Sequence, residues 1–153
     1  LYVPSGSYDK DDALNLGENR WKVDFQGAYI KHFGDKWAVD VIGDAIWYGD
    51  NDDYGPASAT LKQKVSYGAQ LMGRYMPDPA TALAVGVGQL WGGETEVAGL
   101  DQDNRQRTTN LRFTATRFFT PKDQLQLQLG RDLAVENGPR EDFRLNLRYA
   151  HIF

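Results

Sequence analysis

The chain has 153 residues, a formal net charge of −4 and no cysteine. It is long enough for one domain, and its composition excludes a disulfide framework, a thiolate metal site and a general nucleic-acid binder. Mean hydropathy is negative and no apolar run approaches the roughly 18 residues of a membrane helix, but a β-barrel needs only every second strand residue to be apolar.

Leu1–Val3 reads as the end of a strand already under way, so further N-terminal strand sequence is expected. Seven full strands follow, over about Arg20–Phe33, Trp37–Tyr48, Ala59–Met76, Thr81–Trp91, Arg105–Phe119, Gln124–Ala134 and Asp142–Phe153. No segment of useful length shows a helical period. Gly34–Lys36, Pro77–Ala80 and Thr120–Asp123 are tight connections, whereas Pro4–Asn19, Gly49–Ser58, Gly92–Asn104 and Val135–Glu141 are longer. Short turns at one end and long loops at the other match an outer-membrane barrel, whose short turns are periplasmic.

Successive strand side chains point to opposite faces, and the two faces differ throughout. The first strand sets Trp21, Val23, Phe25 and Tyr29 against Lys22, Asp24 and Gln26. The second sets Trp37, Val39, Val41, Ala45 and Trp47 against Asp40 and Asp44. The sixth sets Leu125, Leu127 and Leu129 against Gln124, Gln126 and Gln128. A membrane barrel turns its apolar face to lipid and its polar face to the lumen. The lumen set is then Lys22, Asp24, Asp40, Asp44, Lys64, Arg74, Arg112, Asp132, Arg144 and Arg148. Trp37 and Trp47 share a face ten residues apart, roughly 33 Å along a strand. A tilt of about 40° reduces this to roughly 25 Å, the height of a lipid-facing band. Two aromatic girdles result: Trp21, Trp47, Trp91 and Phe143 at the external ends, and Phe33, Trp37, Tyr75, Phe119 and Phe153 at the periplasmic ends. Lys31, Arg117 and Arg131 fall on the lipid parity near strand ends, where long side chains can snorkel; Gln89, beside Trp91, fits that face less well. The expected fold is an all-β, transmembrane, antiparallel up-and-down β-barrel. Residues 1–153 are expected to form a single barrel domain, the C-terminal portion of a longer barrel. Mixed lumen charges either pair and plug a narrow barrel or line a pore, depending on strand number.

The last strand, with Leu145, Leu147, Tyr149 and Phe153 on one face and Arg144, Asn146 and Arg148 on the other, resembles the C-terminal assembly signal of bacterial outer-membrane barrels. His151 departs from the apolar preference at its position. A second resemblance lies in Pro4–Trp21. Pro4, Gly6, Tyr8, Asn15, Gly17, Asn19 and Trp21 match a recurring segment of the outer-membrane proteins named for the meta-pathway of phenol degradation, with Ser5 in place of the usual Thr. The resemblance covers about eighteen residues and implies a transporter-like barrel for small, hydrophobic or aromatic molecules. It supplies no catalytic residues. Physically the segment is a loop rich in turn formers, able to pack on itself, cover the barrel mouth or fold inward.

No constellation carries catalysis. The two histidines, His32 and His151, both map to periplasmic strand ends, without a serine at matching height for a hydrolase. The protein is expected not to be an enzyme and to hold no cofactor. The external loops are acidic, but Asp50–Asp53 and Asp101–Asn104 lack the spacing of a calcium loop, so no metal site is assigned. Expected partners are membrane lipid and lipopolysaccharide, the barrel assembly machinery during biogenesis, and other envelope proteins; nucleic acid is not among them. The two functional readings are a channel for small molecules and a structural or interaction barrel with a plugged lumen.

Overall fold

A computed structural model describes residues 1–12 and 14–153; Ala13, inside the N-terminal segment, lies outside the described residues. Regular structure among them is entirely β: β1 (Lys22–Phe33), β2 (Trp37–Tyr48), β3 (Asn51–Tyr54), β4 (Ala59–Gln63), β5 (Ser66–Asp78), β6 (Thr81–Gly92), β7 (Thr95–Val97), β8 (Leu100–Asp101), β9 (Gln106–Phe118), β10 (Asp123–Glu136) and β11 (Arg144–His151). Seven long strands form one antiparallel sheet in the order β1-β2-β5-β6-β9-β10-β11, and the four short ones form a second sheet, β3-β4-β7-β8. The stub at Leu1–Val3 contributes a single bridge, Tyr2 to Lys22.

Local chemistry sets the tight turns. Gly34 takes φ +63° between β1 and β2, a conformation glycine adopts without strain. Between β9 and β10, the Thr120 hydroxyl oxygen accepts from the backbone N–H groups of Lys122 and Asp123. Register then follows parity. One outward rung runs Trp37, Tyr75, Leu83, Ala115, Leu127, Leu147, and an adjacent inward rung runs Ala38, Arg74, Ala84, Thr114, Gln128, Asn146. A one-residue slip in any pair would exchange the faces.

The third expected strand, Ala59–Met76, is not continuous. It breaks at Lys64–Val65 into β4 and β5, and Lys64 leaves the wall with the upper sheet. The cause lies on the neighbouring strand. Gly92 and Gly93 take φ of +97° and +67°, and a Cβ at Gly92 would sit 2.5 Å from the Val65 carbonyl oxygen. The two strands therefore bend together. Lys64 N–H donates to the Glu94 carbonyl at 2.9 Å, which carries the pairing on into β4 and β7. The stretches Gly49–Ser58 and Gly92–Asn104, expected as loops, accordingly contain β3, β7 and β8.

A conventional apolar core is missing. Ala38, 2% exposed, is the one fully buried apolar side chain among the described residues, whereas Asp40, Ser66, Thr114 and Asp132 are buried polar groups on the sheet's inner face. The large apolar side chains point outward: Phe25, Trp37, Val41, Leu71, Val85, Phe113 and Leu147 are all exposed, Leu147 to 69%. An apolar face of this extent requires a cover, and in a sheet whose other face is polar that cover is lipid.

Candidate functional site

The inner face is the candidate site, and its side chains lie along the wall rather than across the space in front of it. Arg74 on β5 grips Asp40 on β2: Nη2 donates to both carboxylate oxygens, at 2.6 and 2.5 Å, and Nε donates to Oδ2 at 3.2 Å. Arg112 on β9 donates to Gln70 Oε1 on β5 at 3.2 Å. Asn146 donates to Gln128, and Gln128 to Thr114, along one rung of β11, β10 and β9. Glycines make room for these sideways conformations. A Cβ at Gly68 would lie 2.4 Å from the Asp44 carboxylate, and one at Gly88 would lie 2.9 Å from Asn110 Oδ1. The wall lines an open hollow of about 680 Å³ toward the short-turn end, where Met72, Ala84 and Phe118 share the lining with Arg74, Thr116 and Gln126.

With Lys22 on β1 and Asp132 on β10 as exceptions, the charges on this face segregate by strand. Asp24 and Asp44 stand on β1 and β2, without an ion-pair partner within 4 Å among the described residues. Arg112, Arg144 and Arg148 stand on β9 and β11. Between them the Asp40–Arg74 pair is internally neutral. Four of the expected wall residues have other engagements, Lys22 pairing with Glu18. Asp132 ties down the β10–β11 connection, its Oδ2 accepting from Glu141 N–H at 2.8 Å and its own N–H donating to the Glu141 carbonyl; Arg144 pairs with the Glu141 carboxylate. Lys64, expected on the wall, instead binds Glu94 at 2.6 Å and approaches Asp101 to 3.6 Å in the upper sheet. It was misassigned because strand parity says nothing about where a strand changes sheets.

At the external end, Pro4–Trp21 folds on itself and docks on the β3–β4 hairpin. Asn15 holds the fold: its Oδ1 accepts from Asp9 N–H at 2.7 Å, and its Nδ2 donates to the carbonyls of Asp9 and Asp12. Gly6 and Gly17 are in backbone contact, so that a Cβ on Gly17 would meet the Gly6 oxygen at 2.6 Å. Asn51, 1% exposed, joins the two parts by accepting from Asn19 Nδ2 and donating to the Glu18 carbonyl. Tyr8 OH donates to the Asp53 carbonyl at 2.9 Å. Below, Glu18 accepts from Arg20 and Lys22, and the Arg20 guanidinium stacks over Tyr48 at 4.9 Å. Burial by itself would raise the Glu18 pKa; the hydrogen bonds from Lys22 and Arg20, with their charges, outweigh it and hold the carboxyl below its ordinary value. The matching glycines and asparagines are thus self-packing and docking residues. Asn51, the most buried partner, was missed by sequence reasoning, because it lies in a polar run that reads as solvated loop.

On the outward face, Trp21, Trp47 and Phe143 are exposed at the long-loop end and Phe33, Trp37, Phe119 and Phe153 at the short-turn end. Trp37 packs on Tyr75 and Trp91 on Tyr67, with centroids 4.6 and 5.8 Å apart. Leu145, Leu147 and Tyr149 present an exposed outward row on β11. His151 turns to Asp123, 2.7 Å away, which also accepts from Tyr149 OH at 2.6 Å. His32 sits near the end of β1, on the inner parity.

The family described as "Putative MetA-pathway of phenol degradation" matches residues 1–149. Among solved structures, the crystal structure of the COG4313 outer membrane channel from Pseudomonas putida F1 is 68% identical, with a TM-score of 0.93. The similarity covers 99% of this chain and 57% of that one, so the chain spans a little over half the length of the solved channel. No curated protein compared with the chain matches it. Identity at this level over nearly the whole chain carries both fold and location: the sheet is antiparallel transmembrane β-barrel wall of the bacterial outer membrane. The solved relative is described as an outer membrane channel, in keeping with the expectation that this barrel is not an enzyme.

Proposed function

The chain belongs to the phenol-degradation MetA-pathway family, and on that premise we propose that it forms a major part of the wall of an outer-membrane channel for small solutes of the aromatic class. The observation that carries this reading is the inner wall, whose polar side chains lie flat around a hollow instead of filling it. Polar and charged groups are stable there only if they meet water or each other. Asp24, Asp44 and Arg148 have no ion-pair partner within 4 Å among the described residues, which supports a wet lumen. Carboxylates on one side and guanidiniums on the other set up a transverse field that orients a dipolar or charged solute. Met72, Ala84 and Phe118 in the lower hollow suit a solute with an apolar ring and one polar group.

Closure is part of the proposal. Strands β1 and β11 are the free edges of the seven-stranded sheet, and open edges are not tolerated in hydrocarbon. Seven strands within 57% of the relative's length scale to about twelve in the whole barrel, an even number as bacterial barrels require. Further strands of the intact protein join the two edges, and the barrel assembly machinery inserts it through the β11 signal.

The test is reconstitution of the full-length protein in planar bilayers and liposomes. The expected result is stable conductance, and faster entry of benzoate-sized aromatic acids than of sugars of similar volume. Neutralising Arg144 and Arg148 should shift ion selectivity toward cations, because it removes fixed positive charge from the wall. Correctly folded protein with neither conductance nor solute flux would mean a plugged barrel with a structural or docking role.

A further inference from the structure

The outward face is apolar on most strands, but β6, β9 and β10 carry a polar patch at their external ends. One rung there reads Trp91, Arg107, Glu136 and the next reads Gln89, Thr109, Ala134. A groove of about 500 Å³ opens at this place, lined by Gln89, Trp91, Arg105, Arg107, Glu136 and Asn137. Its walls are built. Trp91 is braced by Tyr67 in a stacked pair with an interplanar angle of 25°. Asn137, at φ +52°, donates through Nδ2 to the Arg105 carbonyl at 3.0 Å, which pins the chain after β10 over the start of β9.

The charges in this groove are poorly satisfied. Arg107 comes only to 3.9 Å from Glu136, with both side chains exposed. Arg105 has no ion-pair partner within 4 Å among the described residues. Two guanidiniums face one carboxylate, on a surface that turns to hydrocarbon a few residues below, at Val87 and Leu111. Guanidinium forks match phosphate geometry. The Trp91 indole, stacked against Tyr67 beside them, offers an apolar surface for a sugar ring, since Trp favours the junction of apolar and wet layers. With the long loops outside, this height is the headgroup layer of the outer leaflet.

We propose that the groove binds a phosphorylated glycolipid headgroup of the outer leaflet. Arg105 and Arg107 hold its phosphate, Trp91 packs against the sugar, and Gln89 and Asn137 meet the sugar hydroxyls. Glu136 keeps Arg107 turned toward the groove. The site rests on the membrane location and not on solute passage, so a failed transport assay leaves it untouched.

The test uses full-length protein in detergent, with bisphosphorylated lipid A, dephosphorylated lipid A and inorganic phosphate as probes. Binding is read by native mass spectrometry and by Trp fluorescence. Lipid A should bind, and either removal of its phosphates or the double change Arg105→Gln with Arg107→Gln should weaken it by about tenfold or more, the loss expected for charge-assisted hydrogen bonds. Lys122→Gln, at the opposite end, should leave affinity unchanged. Folding of each variant is checked by heat-modifiable migration on gels, and the lipid comparison on unmodified protein stands even if the double variant misfolds. Equal binding of phosphorylated and dephosphorylated lipid would overturn the proposal, as would unchanged affinity in a folded double variant. Displacement of lipid A by an equal concentration of inorganic phosphate would assign the groove to free anions and overturn it too.

Discussion

Arg112 reaches across the full width of a strand to Gln70: it leaves β9, crosses β6 and donates through Nη1 to Oε1 on β5 at 3.2 Å. The crossing is open because β6 places Gly86 and Gly88 on the inner rungs shared with Met72 and Arg112 and with Gln70 and Asn110. Side chains of the neighbouring strands can therefore lie sideways on bare backbone, and the wall stays thin although it is densely polar.

The two glycines should respond differently to substitution. At Gly88 the nearest atoms are the ends of Asn110 and the stem of Gln70, which can lift away. Gly88→Leu should fold and lower single-channel conductance, as its side chain and the displaced amides project inward. At Gly86 a Cβ meets the Leu71 carbonyl oxygen at 2.4 Å, and backbone cannot yield so easily. Gly86→Ala should cost about 1–3 kcal/mol, measured by denaturant unfolding in detergent or lipid vesicles.

Facing is testable on β10. Leu127 lies on an outward rung with Ala115 and Leu147, and Gln128 on an inward one with Thr114 and Asn146. Leu127→Arg should destabilise by roughly 2–4 kcal/mol near the bilayer midplane, and Gln128→Arg by much less. Equal costs in vesicle refolding experiments would place the lipid face wrongly.

The Asp40–Arg74 pair should be coupled. Arg74→Met leaves a largely buried carboxylate without its donors, at a cost of about 1–3 kcal/mol. Adding Asp40→Asn should recover part of that loss, so a double-mutant cycle should return a clear interaction term. Additive single effects would show that lumen water already replaces the partner.

Docking of the N-terminal segment should depend on pH through Glu18. Its folded pKa is depressed by its hydrogen bonds to Lys22 and Arg20. The stabilisation is therefore present above the ordinary glutamate pKa and lost as pH falls through the depressed folded value. Hydrogen exchange across residues 5–20 should accelerate in that acidic range. Glu18→Gln should exchange faster already at neutral pH and show little further change on acidification.

Assembly should need the outward aromatics of the last strand and not the Tyr149 hydroxyl. Tyr149→Ala with Phe153→Ala should lower the amount of folded protein in the outer membrane. Tyr149→Phe, which loses only the bond to Asp123, should insert normally. Surface quantification of heat-modifiable protein separates the two outcomes.

Strand periodicity by itself determined the seven wall strands, the face of most of their residues and the placement of short turns opposite long loops, because the alternation of Leu125, Leu127 and Leu129 with glutamines is a local property of an extended backbone. The alternation of the terminal strand was legible for the same reason, whereas the glycine and asparagine positions of Pro4–Trp21 stood out only through the family resemblance. Periodicity failed at Lys64, where the strand changes sheets, and could not show the bulge between Asp132 and Ala134. Tertiary structure alone decided the break at Lys64–Val65, the β3-β4-β7-β8 sheet, the burial of Asn51 and the engagement of Asp132 with Glu141. Each depends on a meeting between segments distant in the chain, such as Lys64 with Glu94 across 30 positions or Asn51 with Asn19 across 32. Only folding brings such partners within hydrogen-bond range, and a polar residue in a polar run carries no local mark of which distant group will satisfy it.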